Sequence, residues 1–131
     1  MELVSILVAT IAAFAIGAVW YNVLSKPWIE ATGIPVDEEG NPEGGMDPKL
    51  FAMGFVFQLI VAGFMRHVFT SSGVDGVFAG VVSGAGVGAF FITPWIALNN
   101  SYAGRPMKLT AIDGGYATLA CAVMGLVLAL F

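Results

Sequence analysis

The chain has 131 residues, 58% of them hydrophobic and 11% charged, with a formal net charge of −4. Soluble globular domains carry about 25% charged residues, so this composition excludes an ordinary soluble fold and points to an all-α integral membrane protein. The acidic balance, with no basic patch, also excludes a nucleic-acid partner.

Charged residues divide the sequence into long uncharged runs, Leu3 to Ser25, Leu50 to Met65, Gly76 to Gly104 and Gly114 to Phe131. Crossing an apolar core of about 30 Å takes about 20 helical residues. Four spans are therefore predicted near 3–24, 48–69, 75–98 and 108–130, a single membrane domain over 1–131 built as a four-transmembrane-helix bundle. In the first run, Ala13-Phe14-Ala15 resembles a signal-peptide cleavage site, but no Lys or Arg precedes the run and it is too long for an h-region, so it reads as a span.

The first span ends in an aromatic girdle, Trp20-Tyr21-Asn22, followed by Lys26-Pro27-Trp28. Trp20, Tyr21 and Trp28 read as anchors at the headgroup level, where one edge of a ring is apolar and the other wet. Proline disfavours helix for the residue before it, so Lys26-Pro27 is expected to stop the helix and leave Trp28-Ile29 along the interface. The acidic, Gly/Pro-rich stretch 33–48 reads as a short ordered loop or interfacial turn.

In the second span Gly54, Gln58, Ala62 and Arg66 recur every fourth residue, which places Gln58 and Arg66 on one face, expected to point into the bundle. His67 titrates near neutral pH or ligates a metal in other settings. Here, with no second His, no Cys cluster and no H-E-x-x-H, it reads as structural, and neither a metal nor another cofactor is expected. The third span carries Gly76, Gly80, Gly84 and Gly88, a G-x-x-x-G series that exposes a strip of bare backbone for close helix packing. Pro94-Trp95 then suggests a kink or an early end, with Trp95 as another interface anchor.

Arg105 and Lys108 anchor the start of the fourth span, which has its own small-residue column, Ala117, Cys121, Gly125 and Ala129. Asp113 is the sharpest functional candidate, because intramembrane carboxylates by default mark ion, proton or substrate paths. The plainer reading pairs it with Lys108, Arg105 or a tyrosine hydroxyl; Tyr116, three residues on, shares its helix face. Cys121 reads as a packing residue.

Lys26, Lys49, Arg105 and Lys108 lie on the side of the 25–48 and 99–107 connections, against Arg66 near the other. Positive-inside counting then places both termini outside a plasma or inner membrane.

Three blocks, Gly17-Ala18-Val19-Trp20-Tyr21 with Lys26-Pro27-Trp28, the end of the second span with His67, and Gly104-Arg105-Pro106-Met107-Lys108-Leu109 running into Ile112-Asp113-Gly114-Gly115-Tyr116, together resemble the DUF1761 family of small bacterial membrane proteins. The resemblance implies a four-helix membrane domain in which His67, Arg105, Lys108, Gly115 and Tyr116 occupy positions the family uses. It implies no activity. The glycine ladder is denser, and the acidic loop richer in Gly and Pro, than the family pattern.

No P-loop, dinucleotide fingerprint or nucleophile elbow is present. The leading expectation is a non-enzymatic membrane protein that packs through glycine-rich helix faces, as a homo-oligomer or an accessory subunit of a larger membrane complex. The alternative is a small oligomeric ion or small-molecule transporter using Asp113. A third class, a membrane enzyme or cofactor carrier, has only His67 and Cys121 to support it.

Overall fold

The computed structural model describes residues 2–43 and 47–131. Its architecture is all-helical: α1 (Glu2–Val23), a short α2 (Ser25–Thr32), α3 (Pro48–Ser72), α4 (Val77–Tyr102) and α5 (Met107–Leu130). By length and composition α1, α3, α4 and α5 are each able to cross a membrane. Part of the acidic loop, positions 44–46, lies outside the described residues; ahead of it Val36 and Pro42 form an isolated antiparallel bridge. The Asp37 carboxylate accepts the backbone N–H groups of Glu39 and Asn41 and closes that turn.

Pro27, expected to stop a helix, and Pro94, expected to kink or end one, both sit inside helical structure. The break after α1 falls at Leu24, and Pro27 occupies the first turn of α2, where its missing N–H has no helical acceptor to serve. Pro94 is followed by two more helical turns. The residues before it, Val87–Ile92, widen into a π-helical turn, and the Thr93 hydroxyl donates to Gly88 O at 2.7 Å, covering a carbonyl in the widened region. A proline removes one i→i−4 bond; the π-turn absorbs the defect and the helix runs on.

α5 is the hub. It packs along α1 on one side and along the whole of α4 on the other, while α3 lies chiefly against α1. The buried core joins Ala9 and Ala13 of α1, Ala62, Met65 and Phe69 of α3, and Ala120, Cys121, Met124 and Leu128 of α5.

The seam between α4 and α5 explains the two small-residue columns. An added Cβ at Gly80 would lie 2.5 Å from Gly125 O and 2.8 Å from the Ala129 methyl; one at Gly84 would strike the Cys121 carbonyl, and one at Gly88 would lie 2.6 Å from Ala117 O. Each step of four up α4 thus meets a step of four down α5, backbone against backbone. The ladder faces the chain's own last helix. Gly76 does not belong to this seam: it is the N-cap of α4, with φ +88°, and nothing lies near its Cβ direction. At the far end of the seam, buried Asn100 donates to Thr110 Oγ1 at 3.1 Å and ties the end of α4 to the start of α5.

Candidate functional site

The aromatic girdle and the start of α5 meet in one polar cluster. Asp113 Oδ1 accepts a 2.7 Å hydrogen bond from the Tyr21 hydroxyl and a 3.2 Å bond from Trp28 Nε1. Trp20 Nε1 donates to Ile112 O at 3.0 Å. The three rings expected at the headgroups are therefore partly buried donors that bind α1 and α2 to α5. A Trp N–H or Tyr O–H buried in this way needs an acceptor, and the turn around Asp113 supplies one for each.

Asp113 takes the hydroxyl of Tyr21 as its partner, and no cation pairs with it among the described residues. Lys108 instead meets Glu30 at 3.3 Å, with both side chains more than half exposed, and Arg105 is exposed. Tyr116 does not share the Asp113 bond either. Its ring crosses to α1, where its hydroxyl donates to Ala13 O at 2.7 Å and lies 3.2 Å from Gln58 Oε1. The crossing is possible because Gly17 leaves the space: a Cβ there would sit 2.6 Å from the Tyr116 oxygen. Gly115 does the same for Trp20, whose ring edge would lie 2.9 Å from an added Cβ. Tyr21 stacks edge-on against both Trp28 and Tyr116, with centroids 6.1 and 5.3 Å apart.

The cluster thus runs from Asp113 through Tyr21 and Tyr116 to Gln58, near the middle of α3. It is packed rather than hollow, and neither of the two surface clefts described is lined by Asp113 or Gln58. Gly115, singled out in the sequence through the family resemblance, and Gly17, which has no role assigned there, shape it as much as the polar groups do.

The remaining candidates lie elsewhere. Arg66, near the other end of α3, donates from Nη1 to Leu128 O at 3.0 Å and so covers a carbonyl in the last turn of α5. His67 is exposed and tilts against the Phe64 ring at 5.6 Å. Trp95 is 65% exposed on α4, away from the cluster. Cys121 is buried in the core.

These features define an all-helical protein with four helices able to span a membrane, held together by a glycine seam and an Asp113-centred aromatic clasp. The family described as "Protein of unknown function (DUF1761)" matches residues 4–129, and the chain belongs to it. Comparison with curated proteins and with solved structures finds no match.

Proposed function

We propose that this is a non-enzymatic integral membrane protein, both termini outside, that acts by helix association, as a homo-oligomer or as an accessory subunit of a larger membrane assembly. Two helix-interior glycines carry the reading: an added Cβ at Gly63 on α3 or at Gly86 on α4 meets nothing within 4 Å. A helix-interior glycine costs about 1 kcal/mol relative to Ala, and inside this chain neither gains a close contact in exchange. In a bilayer, where the hydrophobic effect does not drive helices together, small residues that admit another backbone are a main source of affinity. The glycines of the α4 seam serve the fold, and Gly63 and Gly86 remain for a partner.

Crosslinking in isolated membranes, followed by native mass spectrometry of the extract, tests this reading. A higher-order species is expected, of copies of the chain or with another membrane protein, while a strictly monomeric protein in both measurements overturns it.

The transporter alternative draws on a separate observation, an Asp113 without a basic partner among the described residues, hydrogen-bonded to Tyr21, whose ring packs edge-on against the Tyr116 that reaches Gln58. It requires that Asp113 exchange its aromatic donors for an ion or a proton during turnover. Flux in proteoliposomes that disappears in Asp113→Asn, with assembly intact, would establish it.

A further inference from the structure

At the end of the molecule opposite the Asp113 cluster, α3 and α4 diverge from their connecting turn and leave a cleft of about 220 Å³ against the end of α5. Its polar lining comes from Arg66 and Thr70 of α3 and from Asp75 and Gly76 of the turn; Leu128 of α5 and Phe131, just past the end of that helix, close the other wall.

The cleft presents one group of each sign, and the two are not paired with each other. Among the described residues Arg66 makes a single hydrogen bond, from Nη1 to Leu128 O. Its Nε is buried and has no hydrogen-bond partner among the described residues. Glu2 Oε1 is 4.0 Å from that nitrogen, too far for a hydrogen bond, on a side chain that is 71% exposed. A guanidinium offers five donors in a fork matched to phosphate oxygens, so most of this capacity is unused. Beside it the N-terminus of α4 begins at Gly76 with no side-chain cap, leaving first-turn N–H groups to an outside acceptor. Asp75, exposed on the same cleft, supplies the opposite charge.

We infer that this cleft seats the zwitterionic headgroup of an ethanolamine phospholipid. The phosphate lies on the Arg66 fork and the first turn of α4, and the ammonium lies on Asp75. An anionic headgroup satisfies Arg66 but sets negative charge against Asp75 and Glu2. A choline headgroup keeps the charge but has no N–H to donate to a carboxylate. The site also lies where a headgroup would be: Arg66 is six residues from the end of α3, about 9 Å of helix, a depth from which a long side chain reaches the boundary. This inference rests on the membrane location proposed above.

The full chain, purified in detergent and offered equal amounts of phosphatidylethanolamine, phosphatidylcholine and phosphatidylglycerol, is read by native mass spectrometry. The wild type is expected to retain the ethanolamine lipid over the choline lipid by about fivefold, the scale of one hydrogen bond at an exposed site, since both lipids carry the cation. Asp75→Ala, which removes the acceptor as well as the charge, should erase that preference while still retaining lipid, and Arg66→Gln should lower retention of all three. Since Arg66 also holds Leu128, the decision falls on Asp75→Ala, at an exposed position. Equal retention by the wild type, or an undiminished preference in Asp75→Ala, overturns the site. So does stabilisation by free phosphoethanolamine with none by the lipid, which would mark a soluble ligand. Carbonate washing of membranes separates the two readings: a chain that stays in the pellet yet shows no preference refutes the site alone, and a chain that washes off refutes the membrane location with it.

Discussion

The Tyr21 hydroxyl donates to Asp113 Oδ1 at 2.7 Å across 92 residues of sequence, and Trp28 donates to the same oxygen from α2. One carboxylate oxygen therefore joins three helices. Away from water the alternative for each of these three polar groups is to go unsatisfied, which costs more than the bond itself contributes. The placement of α2 against α5 depends on this clasp more than on apolar burial, since Ala31 is the buried residue of α2.

Tyr21→Phe should lower stability by about 1–3 kcal/mol, because a partly buried carboxylate loses its shorter bond and keeps Trp28 alone. Asp113→Asn retains an acceptor oxygen and should cost less, whereas Asp113→Leu, which strands both donors, should cost the most. Thermal unfolding in detergent, followed by circular dichroism, ranks the three. Equal melting temperatures for Asp113→Leu and the wild type would show that the clasp contributes nothing to the fold.

Gly17→Ala should destabilise by about 1–3 kcal/mol through overpacking against the Tyr116 ring, since the new methyl would lie 2.6 Å from its oxygen and 2.9 Å from Cζ. Removing that oxygen in Tyr116→Phe should relieve part of the clash, so the double variant should be more stable than the sum of the single effects implies. A double-mutant cycle of melting data reads the coupling. Strict additivity would place Tyr116 away from Gly17.

The four long apolar helices were legible because uncharged runs of sufficient length have few alternatives. Asp113 stood out for the same reason in reverse, a carboxylate among apolar residues. Its partners were not legible. Trp20, Tyr21 and Trp28 read as lipid anchors because an indole or phenol tip suits either a headgroup or a buried acceptor, and only the fold decides which. Spacing of four identified both small-residue columns; that Gly80, Gly84 and Gly88 face Gly125, Cys121 and Ala117 depends on which helices become neighbours. Pro27 misled for a local reason, since it falls in a first turn that tolerates it; of the two readings of Pro94 the early end fails, because the proline follows a π-turn that sequence periodicity does not reveal.

For topology, Glu39→Cys places a thiol in the exposed turn after α2, while the native Cys121 is buried. The Lys-rich side is expected to be cytoplasmic, so the new thiol should resist an impermeant maleimide in intact cells and react after lysis. Labelling of intact cells would reverse the orientation and put both termini inside.

The contrast between two glycine sites separates folding from association. Gly84 lies against the Cys121 backbone, where a leucine would force α4 off α5; Gly84→Leu should therefore lower the melting temperature and disturb the monomer itself, by several kcal/mol if the seam opens. Gly63 touches nothing within 4 Å of its Cβ direction, and leucine is the better helix former by about 1 kcal/mol. Gly63→Leu should accordingly leave the monomer as stable as before, or slightly more so, while weakening whatever helix docks there. Circular dichroism melts and native mass spectrometry of both variants give the two readouts independently. If Gly63→Leu and a matching Gly86→Leu both keep the wild-type assembly and stability, these glycines face lipid alone, and the association reading loses the observation that carries it.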